Sequence, residues 1–185
     1  EKISITDKMP WMTNLNDKIF SLDKRVIKVV ISASDESNYI LAVNSEGNAV
    51  CDYQPISRIS ATTTAESGGV KEWNYADVAG RKGFEIFSDS NFDYIANEAV
   101  KKTMILFDAV KPQSGEMEIV LAAGDSGILL HEAIGHGMEA DFNRKKESIY
   151  SDMINKYVAK DFVNIIDDAL YPDLQGSINI DDECN

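Results

Sequence analysis

Histidine and cysteine are the scarce residues of this 185-residue chain, with two of each. Cys51 and Cys184 lie far apart and form no spaced set, which excludes a disulfide framework and predicts a reducing compartment, the cytoplasm. Basic charge is also in short supply: 18 Lys and Arg stand against 31 Asp and Glu, for a net charge of -13. A chain this acidic repels phosphate backbones and anionic lipid headgroups, so direct nucleic-acid binding is disfavoured. Long apolar runs are missing as well. The longest, Tyr39 to Val43 and Ile119 to Ala123, hold five residues each, against about 20 for a membrane-spanning helix. No membrane segment is expected, and with Glu at residue 1 and no basic-then-apolar opening, no signal peptide either. Repeats with a period of roughly 20 to 50 residues are absent, which sets solenoids and propellers aside.

What is present suits one globular domain, or two small ones sharing a core, because 44% of the residues are apolar and 26% charged. Trp11, Leu15, Ile19 and Leu22 recur at spacings that mark one face of a short helix, with Asn14 as its expected cap. From Arg25 the pattern turns β-rich, over 25–33, 39–43, 50–53, 57–64 and 70–75. Turn residues punctuate it at Ser34 to Ser37, Asn44 to Gly47 and Ser67 to Gly69. Ser88-Asp89-Ser90 predicts the cap of a helix over Asn91 to Lys102. A buried strand over Glu116 to Ala123 and a sharp turn at Gly124-Asp125-Ser126-Gly127 should lead into a further helix, with strand-like segments following at 162–166 and 177–180. The expected fold class is α+β: an antiparallel β meander plus flanking helices over 1–110, then over 111–185 a strand, a metal-binding helix and the loop and strands after it.

Both histidines fall in one six-residue window, His131-Glu132-Ala133-Ile134-Gly135-His136. Zinc hydrolases of the H-E-x-x-H type set two imidazoles at i and i+4 of a helix with a glutamate between them as general base. Here there is one extra residue. At about 100° per residue, positions i and i+5 of a regular helix lie roughly 140° apart, whereas i and i+4 lie roughly 40° apart. A local i→i+5 turn brings positions 131 and 136 back over one another, and such π-bulges recur at functional sites. Gly135 is the expected hinge, supplying backbone freedom. A lone histidine is more often a hydrogen-bonded core or surface residue; two in one window, beside Glu132 and Gly135, favour a metal site with His131 and His136 as ligands.

The run from Gly124 to Arg144, with His131-Glu132-Ala133-Ile134-Gly135-His136 at its centre, resembles the signature of the TldD/PmbA family of metalloproteases, on the TldD side. Gly176 to Glu183 is similar to the family's next recognisable stretch, so the likeness is close over about 117 to 183 and looser before it. The resemblance implies a zinc-dependent endopeptidase with His131 and His136 on the metal and Glu132 as general base. It also implies an extended or unfolded peptide as substrate, a TldE/PmbA-like partner subunit forming a heterodimer, and the old label modulator of DNA gyrase. Family members are longer at both ends, so the chain looks like an internal piece, and the third zinc ligand implied by the family, a downstream cysteine, lies outside it.

Within the chain, Cys184 is read as a bystander and Cys51 as a small buried hydrophobe. Glu139, Asp141 and Glu147 are nearby acids, as in dipeptidyl peptidases that complete their site with a later glutamate; Glu139 reads first as a solvated helix-end carboxylate, with orientation of an imidazole as the alternative. Asp141 and Arg144 are read as an ion pair or a capping arrangement. Asn143 and Arg144 are candidates for holding a substrate backbone, with a loop anchor as the alternative. A non-catalytic regulatory or partner-binding protein retaining the helix is the competing function.

Overall fold

The computed structural model describes residues 3–124, 126–166, 168–181 and 183–184. The chain divides into two compact units, Glu1–Lys111 together with Asp168–Asn185, and Pro112–Asp167.

The first unit carries the packed core. Helix α1 (Ile5–Leu22) starts well before Trp11, where the apolar spacing begins, because Ser4 accepts a hydrogen bond from the Asp7 amide and caps it there. Pro10 sits inside that early stretch and leaves the Thr6 carbonyl without its helical donor. Asn14 is therefore not the cap. Its side chain lies mid-helix and donates to Asp89 Oδ1 at 3.0 Å, tying α1 to the start of helix α2 (Asp89–Met104). Ser88 caps α2 as expected, accepting from the Asn91 amide.

Strands β1 (Val26–Val43), β2 (Ala49–Ser67) and β3 (Val70–Gly80) pair antiparallel in the order β1-β2-β3. The expected turn at Ser34 to Ser37 does not form. Those residues pair with Pro55 to Arg58, so β1 runs through them into a long two-stranded arm, and Lys8 forms an ion pair with Asp35 at its edge. Polar residues are tolerated there because the arm faces water, so nothing penalises them in a strand. The β2–β3 turn is held to two residues by Gly68 and Gly69, whose φ of +58° and +81° would strain a side-chain-bearing residue.

Along β2 every second residue from Ser57 to Ala65 is buried, which defines the inner face of the sheet. Ile59 lies between Ala33 and Val78, and Ala61 between Ile31 and Ala76. Leu15 and Ile19 of α1 and Phe92, Ile95, Ala99 and Val100 of α2 join that face in a single cluster. Thr103 Oγ1 shares its single proton between the Ala99 carbonyl at 2.7 Å and the Thr63 carbonyl at 3.3 Å, fixing the end of α2 on β2. Trp11 stacks on Phe87, with ring centroids 5.1 Å apart. Phe92 is 2% exposed, so Phe92→Ala leaves a cavity and is expected to destabilise the unit by about 3–5 kcal/mol in urea unfolding, with m unchanged.

The last segment returns to this unit. Arg81 pairs with Asp52, both side chains being about nine-tenths buried, and also donates to the Ser177 and Tyr53 carbonyls. Asn179 donates to the same carboxylate, and Asn44 to the Glu183 carbonyl, so the segment runs beside the part of β2 that β3 leaves unpaired. Burial alone would raise the Asp52 carboxyl, but hydrogen bonds from Gln54, Arg81 and Asn179 outweigh it and hold the group below its usual value. Residues 177–180 form no strand there. Cys51 is exposed rather than buried, because its partner Leu41 and the tilted ring pair of Tyr39 and Tyr53 lie on the open face of the arm.

The second unit is mostly turns and short helices. Residues 116–123 are exposed and unpaired where a buried strand was expected: Val120 is 96% exposed, and among the described residues no strand pairs with them. An apolar β run becomes a strand only when a neighbour takes its backbone groups. The same holds for residues 162–166. Of the expected Gly124 to Gly127 turn, Asp125 lies outside the described residues, and Gly127 donates to the Gly124 carbonyl at 2.8 Å. No helix among the described residues is long and apolar enough to cross a membrane.

Candidate metal centre

The helix that carries the two histidines is built from three pieces in register: α3 (Ser126–Leu130), one turn of π-helix at His131–Gly135, and α4 (His136–Met138). The wide turn is closed by the His136 amide, which donates to the His131 carbonyl, an i→i+5 bond. It cancels the angular offset that five residues impose on a regular helix. The two imidazole rings consequently face one another, with centroids 4.4 Å apart and planes at 66°. Gly135 contributes differently from a hinge: its φ of -56° and ψ of -53° are ordinary right-handed values that any residue adopts. A Cβ there would lie 3.4 Å from His131 Nδ1, in close van der Waals contact with the ring.

Glu132 joins the pair. One donor atom from each of His131, Glu132 and His136 lies within 4.8 Å of the others, and all three residues are exposed. Glu132 Oε2 is 3.5 Å from His136 Nε2. The other ring nitrogen of His136, Nδ1, is bonded to Glu139 Oε1 at 2.6 Å. That bond, and after it the charges of Glu132 and Glu139, raise the His136 imidazole above its usual value against an opposing effect of burial.

The donor set suits zinc. Neutral imidazole nitrogens and a carboxylate are its ordinary ligands, and a carboxylate on the far ring nitrogen of a ligating histidine is its ordinary orienting partner. With Nδ1 engaged by Glu139, His136 presents Nε2 to the space shared with His131 and Glu132. Glu139→Gln is expected to weaken zinc binding by about 10–100-fold, read by competition with a chromogenic chelator.

Helix α4 stops at Glu139, whose extended backbone (ψ 135°) breaks the run before α5 (Ala140–Arg144). Asn143 secures this break: its amide nitrogen donates to the Gly137 carbonyl at 3.0 Å and to the Glu139 carbonyl at 2.8 Å. Both of its amide hydrogens are thus engaged as a loop anchor. Arg144 ends α5, and Asp141 lies 3.6 Å from Lys145 rather than pairing with Arg144. The segment 148–150 folds back on Gly137, with Ser148 Oγ donating to its carbonyl and the Tyr150 ring so close that a Cβ on Gly137 would come within 2.8 Å of it. Sequence reading missed Ser148 and Tyr150, because contacts 11 to 13 positions apart across an irregular loop leave no periodic trace. Only the glycine at 137 hinted at a close approach.

Residues 1–107 match the PmbA/TldA metallopeptidase central domain, and residues 114–185 match the C-terminal domain of the same family. The chain belongs to the PmbA/TldA metallopeptidase family. The resemblance read from residues 124–144 is thereby borne out, and it extends across the looser first half. Relatives include the metalloprotease TldD homologues of two Buchnera aphidicola subspecies. One is 36% identical over 87% of this chain and 35% of its own length, the other 36% identical over 99% and 39%. The Haemophilus influenzae TldD homologue is 36% identical over 87% of this chain and 34% of its own. The chain therefore spans about a third of the length of these relatives.

Proposed function

We propose that this chain carries the metal-binding and proton-transfer elements of a zinc-dependent endopeptidase acting on extended or unfolded peptides. The observation that carries the reading is the π-turn: it faces His131 and His136 towards each other with Glu132 alongside. His131 and His136 would hold the ion, and Glu139 would orient His136. The chemistry such an ion supplies is polarisation of a carbonyl and acidification of water. Glu132 accepts the proton of the attacking water and returns it to the leaving amine nitrogen, so that the amide is expelled as a neutral amine. Its carboxylate is 62% exposed and lies beside the imidazoles, open to a peptide bond arriving from solvent.

A catalytic zinc takes three protein ligands, and the chain offers two histidines. We place the third, the cysteine implied by the family resemblance, outside these 185 residues, and we assign the working enzyme to a heterodimer with a TldE/PmbA-like subunit. The net charge of -13 accords with a peptide substrate rather than nucleic acid, and the pair of residues at 51 and 184, unbridged, with cytoplasmic location. The test is elemental analysis together with a peptide-cleavage assay. The complete protein with its partner should hold stoichiometric zinc and lose cleavage to a chelator, whereas the isolated 185 residues should bind zinc weakly and cleave nothing. Stoichiometric zinc and chelator-sensitive cleavage by the isolated chain would overturn the placement of the third ligand; metal-independent cleavage by the complete protein would overturn the reading itself.

A further inference from the structure

Within the second unit, a pocket of about 530 Å³ opens directly after the metal-bearing helix. Met138, two residues beyond His136, begins its wall, and Met153, Ile154 and Val158 continue it. The charged side chains along that wall are Arg144 and Lys156, both cations. This reverses the sign of the chain as a whole, which is -13. Among the described residues neither cation has an ion-pair partner, although Lys145, the neighbour of Arg144, is within reach of Asp141. A pocket lined by apolar side chains and by two cations without ion-pair partners among the described residues is complementary to a particular ligand: an apolar side chain with a carboxylate beside it. Methionine walls adapt to more than one apolar shape, and a guanidinium takes a carboxylate in a bidentate grip.

We propose that this pocket is the specificity site for an extended peptide bearing an acidic side chain next to an apolar one, with Arg144 and Lys156 on the carboxylate and Met138, Met153, Ile154 and Val158 under the apolar group. The inference rests on the peptidase reading and names its substrate class. It gives Arg144 a role in recognising a side chain, while Asn143, its amide hydrogens engaged, stays an anchor.

The test measures binding, so it does not depend on turnover. The complete protein carrying Glu132→Gln is titrated, by fluorescence anisotropy, with labelled peptides amidated at the C-terminus that differ only in Leu-Glu, Leu-Gln or Gly-Glu at their centre. Amidation removes the chain-terminal carboxylate as an alternative ligand. The Leu-Glu peptide should bind about tenfold tighter than Leu-Gln at low salt, the worth of one charge-assisted contact, and the ratio should shrink as salt is raised. It should fall to about one in R144Q/K156Q, whose fold is checked by circular dichroism, and in K156Q alone it should be reduced. Equal affinity for Leu-Glu and Leu-Gln, or a ratio that survives the double substitution, overturns the proposal. Equal affinity for Leu-Glu and Gly-Glu overturns the apolar half of it. Chelator-sensitive cleavage by the unsubstituted protein is read separately, so a failure of this pocket leaves the peptidase reading standing, and the reverse failure is equally visible.

Discussion

Glu132→Gln in the complete protein is expected to lower peptide cleavage by about 10²–10⁴-fold, the range spanned by loss of a general acid–base group, while leaving the zinc content unchanged. The substitution keeps the size and polarity of the side chain and removes its ability to take up a proton. Glu132 stands on the π-turn between the two imidazoles, so the backbone that presents His131 and His136 does not depend on it. Its carboxylate lies 3.5 Å from His136 Nε2 without reaching hydrogen-bond distance, whereas Glu139 holds the other nitrogen at 2.6 Å. Ring orientation therefore survives the change. The measurement pairs single-turnover cleavage with elemental analysis of the same sample. Loss of activity together with loss of zinc would instead assign Glu132 to the metal, and full activity would remove it from the chemistry altogether.

The sequence carried the site further than it carried the surroundings, and the reason is the range of the interactions involved. The need for a π-turn follows from arithmetic on one helix, because two histidines five apart meet only if a turn is widened, and the His136 amide bonds to the His131 carbonyl accordingly. Glu139, three positions past His136 at the end of that helix, was legible only as the alternative to a solvated carboxylate. The amphipathic face of Leu15 and Ile19 and the Ser88 cap are equally local. By contrast, the start of α1 at Ser4 depends on a single hydroxyl outweighing a proline five positions inside the helix. The run of β1 through Ser34 to Ser37 depends on the register of β2, a partner some twenty positions away. The apolar run at 116–123 shows the limit from the other side, since its composition favours a strand while among the described residues no strand pairs with it. Ser148 and Tyr150, which brace Gly137, come from an irregular loop whose path no periodicity encodes.

His131→Ala and His136→Ala should each reduce zinc affinity by more than the 10–100-fold expected for an outer partner such as Glu139, because on the proposed assignment each removes a ligating nitrogen rather than its orientation. A site that begins with two histidines has no spare donor to replace one. Glu132 is the third member of the group, and recruiting it as a ligand would remove the base of the proposed mechanism. The two substitutions should also be indistinguishable in the combined variant, since one remaining imidazole already leaves too few ligands to retain the ion. Neither exchange disturbs packing: both histidines are exposed and the i→i+5 bond is made by backbone atoms alone. Far-ultraviolet circular dichroism and the unfolding midpoint of the metal-free protein should therefore stay at their unsubstituted values while metal content falls. Unchanged zinc stoichiometry in both single variants would mean that the widened turn serves only as scaffold, and the peptidase reading would have to be abandoned in favour of a partner-binding role.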